Sequence, residues 1–296
     1  DDLVAPTLRA VRSVAKGIAE ARSDHLPLVL ARSLVAEAFD GRVPPTGVTW
    51  LDVLHRRGIL RLDPPPHEVS DPLDMPDDVV RFGFQRFQDH LVAEALHDEV
   101  IPSVSAFADG GALSFMIKRH HGRAWLSYEW RTVLQALWIA HAERNGVELI
   151  DVLPEEIDGL MANDFVETLL WRSSAAFTDR TRELFNLWIV QTDEYRPAEH
   201  LSLLLRFGLR DHPWNADFLD KRLRARAMPE RDAFWTLPLA RLGRYNSDHS
   251  EAYRLVRWCN GPAISRAKDD VLARALILLG WIFTTTDRPL RDVATK

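Results

Sequence analysis

Three residues with metal-ligating side chains, His90, Glu94 and His97, follow one another at i, i+4 and i+7, a spacing that places all three on one face of a helix. Two imidazoles and a carboxylate could hold a transition metal, but a helix presenting a polar face explains the same spacing, and that is the reading adopted. His120 and His121 are neighbours, so on a helix or strand they point apart; a surface loop near Gly122 accounts for them. The acidic run Asp151, Glu155, Glu156 and Asp158 reads as a solvated helix start, where carboxylates oppose the helix dipole. Cys259 is the sole cysteine. It rules out an internal disulfide or a cysteine zinc site and, beside Trp258, reads as a packed small hydrophobe. No GxxxxGK[ST], GxGxxG, GxSxG or HExxH pattern occurs in the chain, so no catalytic, cofactor-binding or metal residue is assigned.

The elements that must position these groups fall into two parts. With 46% hydrophobic and 27% charged residues over 296 positions, the chain can bury a real core and is not disordered. Its net charge of −6 advertises no phosphate-binding footprint and argues against nucleic acid. Leu3 to about Ala21 reads as a helix. Ser23 or Asp24 with Pro27 opens another to about Phe39, and Val48 to Arg57 forms a third, ended by Gly58. Ile59, Leu60 and Leu62 read as a short strand, and Asp63 to Asp78, with five prolines, as a loop. In VRFGFQRFQDHLVAEAL, from Val80 to Leu96, residues Val80, Phe82 and Phe84 alternate as a strand does. Phe84, Phe87, Leu91 and Leu96 then take up helical spacing. Helices, a hairpin and a further helix outline a winged-helix domain over residues 22–98, with 1–21 as a helix from an upstream module. Phe84 is expected in its core. His55, Arg56 and Arg57 at the end of the third helix are the candidates for DNA contact, in an alternative reading as a winged-helix transcriptional regulator with a helical ligand-binding domain. Trp50, Leu51, Val53 and Leu54 dominate that helix and point instead to intramolecular packing.

Beyond Ile101 strand signals fade. Pro154, Pro197, Pro229 and Pro262 each stand where a first-turn proline opens a helix, at intervals of 43, 32 and 33 residues, which suggests a TPR- or HEAT-like α-helical repeat array over 99–296, with an irregular helical domain as the alternative. The fold class expected is therefore mainly α. Nine tryptophans from Trp125 to Trp281 read as core, and Arg–Asp neighbours such as Leu209 to Asp211 as solvated pairs. Val271 to Phe283 reads as a buried core helix, too short to span a bilayer. Asp1 and Asp2 stand where a signal peptide needs cations, so the expected location is cytoplasmic. The chain begins without methionine and stops within a helix opened at Pro289, so a piece of a longer protein is expected.

The stretch from Phe82 to Gln88 resembles the end of the winged-helix domain in NACHT-type STAND NTPases, where a pattern like FxHxxFQxxxAA joins the nucleotide-binding module to repeats. Phe82, Phe87 and Gln88 match its Phe, Phe and Gln, and Phe84 stands where the family places a histidine that reaches bound ADP. Five later stretches are similar to the bacterial antiviral STAND proteins called Avs: Leu134 to Pro154, Phe165 to Asn186, His212 to Leu223, Met228 to Trp235 and Leu279 to Lys296. The resemblance implies a noncatalytic regulatory and sensor segment with ATP and Mg bound elsewhere in a parent NTPase. Its partners would be a phage protein on the helical repeats and, in the active parent, other copies of itself. Phe82, Phe84, Phe87 and Gln88 would be the switch residues, working through packing rather than by touching nucleotide.

Overall fold

The computed structural model of the chain describes residues 2–65, 78–121, 123–155, 157, 161–190, 197–246 and 250–295. It is mainly helical, with five short strands among the described residues. The chain divides into two compact units, Asp1–Thr168 and Leu169–Lys296.

In the first unit α1 (Val4–Ala21) buries Ala10, Val11, Val14, Ala15 and Ile18, a stripe set by helical periodicity. It stops where Arg22 turns left-handed at φ 49°. Leu26–Pro27 (β1) leads into α2 (Leu28–Ala38), which presents Ala31, Val35 and Ala38 to the core. Thr49 and Asp52 form a reciprocal capping box that starts α3 (Trp50–Arg56). Arg57 caps its end, and Gly58 follows at φ 70°, a conformation that costs glycine little. Strands β2 (Leu60–Asp63) and β3 (Val79–Phe82) pair antiparallel with Leu60 opposite Phe82, and β1 adds to the other edge of β3, giving the order β1-β3-β2. Most of the proline-rich loop between β2 and β3 lies outside the described residues. Helix α4 (Gln85–Glu99) follows β3 almost directly.

After α5 (Val104–Phe107) the structure departs from the expectation that strands end at Ile101. Ile117–His120 (β4) and Arg123–Leu126 (β5) form a second antiparallel hairpin, and Ile157 bridges to Ala124. With sequences IKRH and RAWL, these strands bury little more than Ile117 and Ala124. Such short, cation-bearing strands leave almost no two-residue apolar signature. Helix α6 (Arg131–Asn145) ends at Gly146 with φ 67°, and α7 is Met161–Leu169. Pro154 does not open a helix as expected: it sits in a turn where its carbonyl accepts from the Ile157 N–H.

The second unit contains α8 (Asp179–Phe185), continued by a widened turn to Val190, then α9 (Pro197–Phe207) and α10 (Ala216–Ala225). A helix opened at Pro229 runs as α11 (Met228–Arg231), a widened turn, and α12 (Leu237–Asn246). Next come α13 (Glu251–Cys259), α14 (Asp269–Ile282) and α15 (Arg288–Ala294), the last opened by Pro289. Pro262 starts only a short 3-10 turn, not an α-helix. The aromatic core stacks Phe185 on Trp214 at 3.6 Å and Phe207 on His212 at 3.9 Å. Helix α14 corrects the expectation of a fully buried segment. It buries Ala275, Leu278 and Ile282 along one stripe while Leu276 is 70% exposed. Among the described residues no helix is long and apolar enough to cross a membrane.

Candidate functional site

The β3–α4 junction brings the four sequence-selected residues into one neighbourhood but gives them different roles. Phe82 is buried at the end of β3, its ring edge-on to Phe87 at 5.6 Å between centroids. Gln88, on the first turn of α4 and 2% exposed, works in two directions. Its Oε1 accepts from the Phe82 N–H at 3.0 Å, and its Nε2 donates to the Asp24 carbonyl at 2.8 Å. One side chain thus ties the end of a strand to the α1–β1 turn, and both amide groups are used. The Asp24 carboxylate in turn meets Arg81 at 3.0 Å and His25 Nδ1 at 2.6 Å. Gly83 is required between strand and helix, because a Cβ there would lie 2.1 Å from the Gly58 carbonyl oxygen.

Phe84 does not pack into the core as expected. It is 71% exposed at the N-cap of α4. The two-residue alternation that points Phe84 inward holds only within the strand, and β3 ends at Phe82, with one last backbone bond from the Gly83 N–H to the Ile59 carbonyl before the chain turns into α4. Phe87 is 43% exposed, so the junction displays two aromatic rings to solvent.

A cleft of about 620 Å³ opens beside the junction. Arg22 and Asp24 from the end of α1 face Gln85, Gln88 and Val92 of α4 across it, with Trp130, Arg131 and Thr132 at the start of α6 closing the third side. The lining mixes amides, hydroxyls and charges of both signs. Arg22 lies over the Phe115 ring at 5.0 Å.

Helices α4 and α6 pack along a seam that is polar along much of its length. Burial raises the carboxyl pKa of Asp89, opposed by the hydrogen bond that Gln85 donates at 2.9 Å. Arg86 donates to Gln135, Gln135 to Asp164, and Arg131 grips Asp164 with two bonds of 2.7 and 3.1 Å. Such a network favours one register of the two helices, since a slipped register strands buried polar groups. Further along, His97 Nε2 lies 2.9 Å from Asn145 Oδ1 and 3.3 Å from His141 Nδ1. Burial, then the neighbouring His97, pushes the His141 pKa down.

This seam resolves the metal-spaced triple. His97 turns into the seam, His90 is half-buried with its pKa lowered by burial, and Glu94 faces solvent. No group of residues fit to hold a metal is present among the described residues. His120 ends β4 and His121 forms an exposed left-handed turn (φ 50°) beside Gly122, with the two rings 3.9 Å apart. Asp151 and Glu155 are exposed, while Glu156 and Asp158 lie outside the described residues. Cys259 is partly buried, which raises its thiol pKa. His55, Arg56 and Arg57 are exposed at the end of α3.

Sequence reasoning missed Asp24, Gln135, Asp164 and Arg131. Each partner in these contacts lies 29 to 64 positions away, so no local spacing could have signalled them. Comparison of the chain with protein-family models, curated proteins and solved structures gave no match.

Proposed function

We propose that the chain is the noncatalytic regulatory and sensor part of a STAND-type antiviral NTPase, coupling recognition of a phage protein to NTPase oligomerisation and effector activation. The observation that carries this reading is the element order α1–β1–α2–α3–β2–β3 with sheet order β1-β3-β2, followed directly by α4. That order supports a winged-helix reading, in which α3 would be the recognition helix and β2–β3 the wing. Gln88, the residue matching the family glutamine, anchors the helix that leaves the wing. A junction held by a few buried directional bonds supports a switch with discrete states, biased only by a ligand that prefers one of them. Phe84 and Phe87 would offer apolar surface to whichever state covers them. The helical region after residue 99 would be the start of a repeat-like ligand-reading arm, with ATP and Mg held by the parent's NTPase core.

Pull-down of phage proteins from infected-cell lysate by the purified chain tests the reading. Capture of a defined phage protein that also triggers the full-length protein supports it, and failure of every phage lysate to yield a partner overturns it. The chain alone is expected to show no NTP hydrolysis; turnover abolished by a substitution within these residues would contradict the assignment. The exposed His55, Arg56 and Arg57 favour a second reading, a DNA-binding regulator. Salt-dependent duplex binding that is lost on replacing Arg56 and Arg57 by Ala would establish it instead.

A further inference from the structure

The cleft of about 620 Å³ in the first unit is also where a helical run begins without a cap. A 3-10 turn, Tyr128–Trp130, runs straight into α6, so the positive end of one long dipole lies at Tyr128. Residues Tyr128 to Val133 all line the cleft. Ser127, in the capping place, makes no capping bond, and among the described residues the Tyr128 and Glu129 N–H groups have no acceptor. Trp130 adds a further unused donor. Its ring is 9% exposed and edge-on to Phe115 at 4.8 Å, and its indole N–H has no acceptor among the described residues yet is not sealed from solvent. Arg22 lies over the same Phe115 ring at 5.0 Å, so its guanidinium and Trp130 share one neighbour.

We propose that this cleft binds the carboxylate of a small organic acid. The charges of its lining leave one cation over. Asp24 is held by Arg81 at 3.0 Å and His25 at 2.6 Å, Glu129 lies 3.6 Å from Lys118, and Arg131 is bonded to Asp164. Arg22 alone among the charged lining residues has no ionic partner among the described residues. The unused groups are thus all donors: a guanidinium, an indole N–H and the open amides of a helix start, a set that recognises an oxyanion. The volume falls in the range of small-molecule sites, roughly 300–1,000 Å³, so the anion is carried on an organic body, which the exposed ring of Tyr128 can face. One unpaired cation matches one negative charge, whereas the second charge of a phosphate monoester would be repelled by Asp24 and Glu129. A monocarboxylate bound here caps α6 and ties it to Arg22 at the end of α1. The inference is independent of the sensor reading.

The experiment follows the indole N–H cross-peaks of the whole chain by heteronuclear NMR, with Trp130 assigned by its loss in Trp130→Phe. Benzoate, phenylacetate and naphthoate are titrated in turn, each against its primary amide, and benzoate also against phenyl phosphate. At least one carboxylate is expected to move the Trp130 cross-peak and to bind about tenfold or more tightly than its amide. Arg22→Asn, whose side chain tolerates the left-handed backbone, is expected to lower that carboxylate's affinity about tenfold and to leave the amide's unchanged, in protein whose circular dichroism matches the parent's. Should Arg22→Asn disturb folding, Arg22→Lys takes its place: it keeps the charge but loses the fork, and the affinity should fall several-fold. A Trp130 cross-peak unmoved by every carboxylate, equal affinity for acid and amide, or undiminished binding by a folded Arg22 variant would overturn the site. Tighter binding of phenyl phosphate than of benzoate would overturn the monocarboxylate in favour of a phosphorylated ligand.

Discussion

Phe82, Phe84 and Phe87 are three similar side chains within six positions, and the structure gives them three different exposures. Phe82 is 2% exposed and Phe84 71%. Removing the Phe82 ring should leave a cavity and cost roughly 3–5 kcal/mol, whereas Phe84→Ala should stay within about 0.5 kcal/mol of the parent, as surface substitutions do. Urea denaturation of both variants checks this, and comparable losses would contradict the exposures. Gln88→Ala should cost about 2–3 kcal/mol, because it leaves the buried Phe82 N–H and the Asp24 carbonyl without the partners they have now. A midpoint shift no larger than that of Phe84→Ala would show that the bridge contributes nothing. Phe82 was legible in the sequence as the buried end of a strand; Gln88 was singled out only through the family resemblance, and its burial depends on partners in β3 and the α1–β1 turn. The exposure of Phe84 was not legible, because it depends on where β3 ends.

At the scale of elements, helix starts and stops were the most legible feature. First-turn prolines and a C-terminal glycine act within a turn or so of themselves, so Pro229, Pro289 and Gly58 each mark a boundary the structure reproduces. The β4–β5 hairpin and the turn at Pro154 escaped because pairing partners, not local pattern, made them. The turn between α9 and α10 carries a prediction of its own. His212 stacks on Phe207 and accepts from the Trp214 N–H at 3.2 Å. Burial in this aromatic cluster, helped by the cation of Arg210, pushes its pKa from 6.5 down to about 4. The folded state therefore favours the neutral ring. Its contribution is complete above pH 6.5, shrinks as pH falls toward 4 and is absent below that. Roughly 2–3 kcal/mol should be lost across that window once solvent screening is allowed for. His212→Gln keeps an acceptor for Trp214 but cannot titrate there, so its melting temperature should depend less steeply on pH between 6.5 and 4 than the parent's. Equal slopes would assign the acid sensitivity elsewhere.

At the scale of the whole molecule, the chain forms two compact units that meet in sequence within α7. The first has its own core, built by α1, α2, α4 and α6 around Val14, Ile18, Val92, Leu134 and Trp138. A fragment of residues 1–170 should therefore fold alone, with a helical circular dichroism spectrum and a cooperative thermal transition. A broad, non-cooperative melt would mean that the second unit is needed to complete that core.

What the sequence determined by itself was local: the helical class, the ends of several helices, and the strand-to-helix switch after Phe82. These follow from periodicity and capping, which act over a few residues. Tertiary structure alone decided that His97 meets His141, that Asp164 anchors Arg131 and Gln135, and that Arg206 of α9, Arg210 in the turn beyond it and Arg254 and Arg257 of α13 line one groove. Those contacts join positions 29 to 51 residues apart, so they exist only once the elements have packed.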